Sequence, residues 1–402
     1  MKQNLNNKNI FTPILVTLSI VAAEIAISFN SVLLPNIKTN FMISEAVAQS
    51  TVSIALFALG FSGIIYGGIA DCFGRKPIFL FSIAVFTLSN IFCIYSQNIT
   101  SFMIARFIQG LGSGACWIVG NACIKDLYEG KEYTKVMNYV HAVAGIIPAI
   151  APSFGSKIAV LMGWKSCFWI LTFIGGCIWI GIFFKQKETL KVYKSFSVKS
   201  SVKDYLKLFY SLPFCIYLFI KVIAVTLIFV ETSNIPLIFI DYLAIPPENF
   251  GYYILPGFLF YVLSSIASSY LCERFSINII ITIGLMLIFI SQIIILALPN
   301  VFQGNPIFFQ GIKCFSYIGW GFIFGNATAQ IVSQLPDCSA SASAIMIGLE
   351  MLFSSLGIFL MGIYFDGTVV PITIFMAICS FICLLVLTFA SRQLKPMSLK
   401  EA

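Results

Sequence analysis

Six charged residues stand where so apolar a chain has least reason to place them. Glu24, Arg106, Lys221, Glu231, Lys313 and Glu350 each interrupt a long hydrophobic run. Taking a charge out of water is costly, so such a group faces a water-filled cavity or a partner of opposite sign. Three acids and three bases permit mutual neutralisation, and a structural ion-pair network is the plainest account of them. A second chemistry is open to the acids. A carboxylate held away from water binds its proton more tightly and can exchange it near neutral pH. Glu24 and Glu350 are therefore candidates for proton coupling, with Arg106 as a partner that can be gained or lost. Glu24 comes about 12 residues into its run, about 18 Å deep at 1.5 Å per residue, and so near a membrane midplane. Lys221 is also near the middle of its run, whereas Glu231 lies closer to the outer end and could be solvated there. His141, the one histidine, is read as a packing residue.

The elements that position these groups follow from composition. Of 402 residues, 59% are hydrophobic and 10% charged, too little charge to cover a water-soluble surface. Apolar runs of about 20 residues, enough to cross about 30 Å of hydrocarbon, recur along the whole chain. They predict an all-α membrane protein with twelve transmembrane helices at 12–35, 47–70, 78–96, 101–122, 134–159, 165–184, 212–234, 250–271, 277–297, 307–330, 341–365 and 370–391. The first run is too long for a signal-peptide core and lacks a small-residue cleavage site, so it is expected to be a retained span. With both termini on the cytoplasmic side, 18 of the 24 Lys and Arg fall in cytoplasmic segments, while Lys38, Lys157 and Lys165 lie at the outer face. That asymmetry sets the orientation. It also accounts for the net charge of +8 without any nucleic-acid partner. The 12 Cys are scattered through apolar runs with no C-x-x-C pair, which predicts small core residues and neither disulfide framework nor metal site.

One polar segment is long. From Lys185 to about Ser211 it carries seven Lys, and Val198, Val202, Leu206 and Phe209 recur at helical spacing. Part of it is expected to lie on the membrane surface, held by anionic lipid. It divides the chain into a first half, 1–184, a cytoplasmic loop, 185–211, and a second half, 212–402. The halves read as degenerate copies. Ala70-Asp71-Cys72-Phe73-Gly74 corresponds to Cys272-Glu273-Arg274-Phe275-Ser276, and Arg106, Gly112 and Gly114 to Lys313, Gly319 and Gly321. Two pseudo-symmetric six-helix halves with a binding site between them suit alternating access. Arg106 and Lys313 should then take related places around one cavity, with Asn30, Gln109 and Asn326 as polar neighbours.

The loop between the second and third spans reads G-G-I-A-D-C-F-G-R-K, from Gly67 to Lys76. Gly74 permits a turn too tight for a side chain, and Arg75 and Lys76 hold the loop in the cytoplasm. The fifth span carries Pro148, Pro152 and Gly155; each Pro removes a backbone donor and crowds the preceding turn, so a bent, thin helix is expected. The loop resembles the signature loop of the major facilitator superfamily, with Cys72 in place of a usual Arg. R-F-I-Q-G-L-G-S-G-A, from Arg106, resembles that superfamily's fourth-helix motif. A-P-S-F-G, from Ala151, is similar to its antiporter motif, with Ala151 and Ser156 in place of Gly. P-E-N-F-G-Y-Y, from Pro247, and A-S-A-I-M-I-G-L-E, from Ala342, resemble the bicyclomycin/chloramphenicol-resistance (Bcr/CflA) subfamily of drug–proton antiporters. Ser28 stands where that subfamily has a first-helix Asp, with Glu24 one turn earlier on the same face, and Glu350 stands where it has Gln.

The resemblance implies a monomeric, proton-driven exporter of small amphipathic compounds in a bacterial inner membrane, with small-molecule substrate, protons and the lipid bilayer as its partners. Asp71 is expected to cap a helix end or pair with a base, and Arg75 to help hold the cytoplasmic face shut. No nucleotide-binding P-loop occurs in the sequence, so the expected energy source is an ion gradient; no enzyme activity, cofactor or metal is expected. The same fold serves a facilitator-type importer or symporter of a metabolite or osmolyte equally well. A membrane sensor or scaffold that moves nothing is the alternative from another class.

Overall fold

Hydrocarbon offers backbone amides no water to bond, so the chain must satisfy them itself. The computed structural model describes residues 11–128, 130–190, 193, 208–243, 245–246, 249–298, 305–333 and 339–391, and among them there is helix and no strand. The expected surface helix of the central loop, Pro247 and Glu248 of the subfamily motif, and the side chain of His141 lie outside the described residues.

The helices are α1 (Phe11–Val32), α2 (Leu34–Phe41), α3 (Glu45–Phe73), α4 (Arg75–Tyr95), α5 (Ile99–Leu127), α6 (Gly130–Met162), α7 (Lys165–Lys185), α8 (Leu212–Pro236), α9 (Phe250–Leu271), α10 (Ile277–Ala297), α11 (Pro306–Ser333), α12 (Ser339–Tyr364) and α13 (Val370–Ser391). Eleven stretches among the described residues are long and apolar enough to cross a membrane. The twelfth expected span lies in α6, whose apolar part is the shorter Ile150–Met162. Its hydrogen-bonded helix runs through both Pro148 and Pro152.

Two elements were not expected. Pro35 suits the first turn of α2, and Met42, in the left-handed region at φ 51°, ends it. A π-helical turn, Leu237–Tyr242, follows Pro236 at the end of α8. Several helices also outrun the predicted spans by a few residues, because hydrogen bonding continues past the apolar boundary.

The exterior is apolar, and the polar side chains of the helices turn inward. Phe81, Leu88 and Phe92 on α4, and Phe173, Ile180 and Phe184 on α7, are exposed at spacings that give each helix one outward face. Ser82, Ser89 and Asn90 of α4 are buried instead. Within the first half α5 packs on α3 and α4, and α1 on α6; within the second, α11 packs on α9 and α10, and α8 on α12.

The copies are symmetric at the level of single contacts. A Cβ on Gly114 would fall on Ser62 Oγ and 2.8 Å from the Leu59 carbonyl; on Gly321 it would fall on Ser264 Oγ and 2.7 Å from the Tyr261 carbonyl. Ser264 and Tyr261 are the repeat partners of Ser62 and Leu59. Helix backbones therefore approach closely at the same point in each half, which small residues make possible.

The halves meet through α3 against α12, α6 against α9, and α1 against α8. The hydrogen bonds that join them lie toward the end away from the Gly74 turn. Gln49 Nε2 donates to Asn234 Oδ1 at 2.8 Å, Ser355 Oγ to the Ser53 carbonyl at 2.8 Å, and Lys157 Nζ to the Tyr252 hydroxyl at 3.2 Å. Gly251 of the P-E-N-F-G-Y-Y stretch permits the α6–α9 contact, since its Cβ would lie 2.8 Å from Ser153 Cα. Gly155 seats α6 on α1, where a Cβ would lie 2.7 Å from Phe29 Cδ1.

A side chain at either repeated glycine must push two helices apart. Gly114→Val and Gly321→Val should each lower stability by about 1–3 kcal/mol, as overpacking does, and by similar amounts. The midpoint of thermal unfolding of detergent-purified protein checks this, and unchanged midpoints would contradict the close approach.

Candidate functional site

The six intramembrane charges separate into three groups. In the second half, Lys313 Nζ on α11 lies 3.0 Å from Glu231 Oε2 on α8, the side chains 2% and 1% exposed. Lys313 also donates to Gln292 Oε1 at 3.5 Å, and Gln292 Nε2 donates to Ser316 Oγ at 2.9 Å. The expectation that Glu231 is solvated near its helix end is corrected here. The residue is buried because α11, α12 and α13 pack against α8, and Lys313 neutralises it.

In the first half the matching base has no acid within ion-pair distance among the described residues. Arg106 on α5 is buried and donates through Nε to the Thr51 carbonyl at 3.4 Å and through Nη1 to Gln109 Oε1. Gln109 Nε2 donates in turn to Asn90 Oδ1 at 2.6 Å. Asn90 and Gln109 are the repeat counterparts of Gln292 and Ser316, so the same scaffold surrounds both bases.

The third group lies deeper. Glu24 is hydrogen-bonded to the Trp117 side chain. Glu350 and Lys221 face one another electrostatically, and Lys221 Nζ donates to the Phe324 carbonyl at 3.3 Å and sits 4.2 Å from the centre of its ring. Phe324 is the repeat partner of Trp117. The halves thus present an acid on an indole and a base on a phenyl ring at related depths.

Several expected neighbours are brought together and others are not. Gln109 adjoins Arg106. Asn30 is buried on α1 with neither amide atom bonded. Asn326 does not adjoin Lys313; it is 13 residues along α11, about 20 Å at 1.5 Å per residue, where its Nδ2 bonds Ser268 Oγ at 2.8 Å. Arg106 and Lys313 do not face one shared cavity here. Lys313 is enclosed in its own half, and Arg106 walls a narrow cavity of about 10 Å³ between α1, α3 and α5.

The Gly67–Lys76 stretch closes one end of the first half. Gly67 lies within α3, and Gly74, at φ 98°, separates α3 from α4 without a linker. Asp71 pairs with Arg75 Nη2 at 2.5 Å, and Arg75 Nε reaches Asp126 Oδ2 on α5 at 3.2 Å. The free N–H groups at the start of α4 need acceptors, and a glycine cap supplies none. Glu188, beyond α7, provides them: its carboxylate accepts from the backbone N–H groups of Arg75 and Lys76, both at 3.0 Å. Capping therefore falls to Glu188, while Asp71 takes the ion-pairing half of its expectation. Glu188 was missed because its partners lie 112 or more residues away.

A profile described as Major Facilitator Superfamily matches residues 16–362. The chain belongs to the major facilitator superfamily. It is 32% identical over 167 residues to a multidrug resistance protein, MdtL, of Escherichia coli O157:H7, covering 42% of this chain and 43% of that one. The match thus spans less than half the length of that relative; the Shigella dysenteriae MdtL matches to the same extent. Solved structures share the fold at low identity. The xylose transporter XylE from E. coli, partially occluded and inward open, aligns with TM-score 0.72 at 13% identity, covering 96% of this chain and 98% of that one. A bacterial homologue of the human lysosomal transporter Spinster, inward-facing and unoccupied, aligns with TM-score 0.78 at 13% identity, covering 97% and 98%. Superfamily membership, with eleven apolar helices of spanning length among the described residues, makes this a multi-pass membrane protein.

Removing one partner of the buried pair leaves the other charge alone in hydrocarbon. Glu231→Gln and Lys313→Met should each cost about 3–5 kcal/mol, whereas Glu231→Leu combined with Lys313→Met should be close to neutral. Thermal midpoints of the three variants check this; additive losses would contradict direct pairing. Glu188→Ala should cost about 0.5–2 kcal/mol, the range for a lost helix cap, and should raise hydrogen exchange at the Arg75 and Lys76 amides first. Unchanged exchange there would remove Glu188 as the cap.

Proposed function

We propose that this chain exports small amphipathic compounds across a bacterial inner membrane in exchange for protons, as a member of the Bcr/CflA drug–proton antiporters. The halves 1–184 and 212–402 rock about the loop 185–211, with both termini in the cytoplasm. The observation that carries this reading is the setting of Glu24: an acid at mid-membrane depth, bonded to an indole, with no base within ion-pair distance among the described residues. The multidrug resistance name of the MdtL relatives supports the substrate class.

In the proposed topology the sealed end is the outer one, so the chain is inward-facing here. Glu24 carries its proton while it lies among the apolar helices, since a neutral acid is tolerated where a carboxylate is not. Arrival of substrate from the cytoplasm releases that proton to cytoplasmic water. Opening of the outer end exchanges substrate for a new proton on the same carboxylate. Glu350 is the weaker candidate because the positive charge of Lys221 acts on it. Arg75, Asp71 and Asp126 keep α3, α4 and α5 together as one body while the halves move.

Glu24→Gln mimics the protonated state. In proteoliposomes with an imposed proton gradient it should abolish uphill substrate movement, lowering it at least about tenfold, the scale of 1.4 kcal/mol, while substrate binding persists. Glu350→Gln should keep most of the flux. The reverse order of effects would assign the proton to Glu350. Substrate uptake that runs with the proton gradient would replace export by symport.

A further inference from the structure

The two halves are each other's control. Their helices α1 and α8 correspond by their first residues, Phe11 and Leu212, and by Pro35, three residues past the end of α1, and Pro236, the last residue of α8. The same spacing carries Asn30 onto Glu231. The bases correspond as well, Arg106 to Lys313, and so do the amide and hydroxyl groups that hold them, Asn90 with Gln109 and Gln292 with Ser316. One position breaks the symmetry. Where the second half has a carboxylate 3.0 Å from its base, the first half has a buried amide with both polar atoms unbonded.

Arg106 is therefore a residue 2% exposed whose guanidinium is bonded to an amide oxygen and a backbone carbonyl. No carboxylate among the described residues reaches it. An uncompensated buried charge is costly to keep, and a guanidinium presents a planar fork of donors that matches a carboxylate. Arg106 also walls a cavity, lined on its other sides by Ala23, Ala26, Val52 and Leu56. That cavity is now about 10 Å³, room for one water. Helices α1 and α3, which form two of its walls, are the ones that meet α8 and α12 of the second half.

We propose that the first half binds the carboxylate of an amphipathic substrate at Arg106, in the place that the second half fills with its own Glu231. The apolar part of that substrate lies against the small and aliphatic side chains of α1 and α3. The inference rests on the reading of the chain as a transporter of small amphipathic solutes, but its test reads binding and needs neither flux nor a proton gradient.

The probes are 2-naphthoate, its uncharged amide and 2-naphthylmethylammonium, titrated calorimetrically into the full chain in detergent. Naphthoate should bind at least about tenfold tighter than the amide, the scale of 1.4 kcal/mol, and tighter still than the ammonium. Arg106→Lys should keep the preference, and Arg106→Gln should reduce it to about twofold or less, below 0.5 kcal/mol. If Arg106→Gln does not fold, Asn30→Glu decides: it supplies the missing acid, so it should raise the thermal midpoint and remove the preference for naphthoate. Wild-type binding of the amide or the ammonium as tight as that of naphthoate would overturn the proposal, as would no binding of naphthoate. Persistence of the preference in Arg106→Gln or in Asn30→Glu would also overturn it. Proton-coupled export of a cationic solute alongside any of these results would leave the transport reading standing without the carboxylate site.

Discussion

A single charge in hydrocarbon destabilises a helical bundle more than one packing contact can offset, and the interior of this protein is arranged around that constraint. Lys313 and Glu231 meet across α11 and α8 and hold each other at 3.0 Å. Gln292 and Ser316 then complete the shell around the pair. Arg106 meets the same requirement by other means, spreading its charge over a carbonyl and a side-chain amide. Lys221 uses a carbonyl, an aromatic face and Glu350. These choices decide which helices must touch, and the small residues at Gly114 and Gly321 let them touch closely enough.

Away from the apolar interior, the same economy of charge fixes the helix ends. Gly74 lets α3 and α4 succeed each other with no intervening loop, leaving the N–H groups of Arg75 and Lys76 facing outward. Glu188 gathers them from the far side of α7, while Arg75 ties α3 to α5 through Asp71 and Asp126. Four helices are thereby fastened at one end by a few polar groups. The opposite end is fastened between the halves instead, through Gln49, Ser53, Asn234 and Ser355. One end holds a half together; the other holds the halves to each other.

Most of the fold was legible because hydrophobic length and positive-residue bias act locally along the chain. The repeat could be read from Arg106 with its glycines against Lys313 with its glycines, and the contacts at Ser62 and Ser264 follow the same register. The pairing of Glu231 with Lys313 was not legible, since both were marked only as costly charges and 82 residues separate them. Distance from the helix end puts Glu231 near solvent, a measure blind to the packing of α11, α12 and α13 against α8. A shared place on α11 groups Asn326 with Lys313, although 13 residues of helix put them at different depths. Glu188 gave no local signal at all. The short helix α2 and the π-helical turn after Pro236 arise from backbone events at proline residues, which hydrophobic periodicity does not register.

The residue-level repeat has a consequence for how such a chain could arise. If one ancestral unit were copied and joined to itself, its helix contacts would form twice without further change, because Gly114 and Gly321 seat on equivalent serines. Two identical units, however, would carry either a self-neutralised base in each or an open base in each. Divergence at the single pair of positions 30 and 231 gives one copy an acid against its base and the other an amide, so duplication supplies the scaffold and one substitution supplies the difference in charge between its halves.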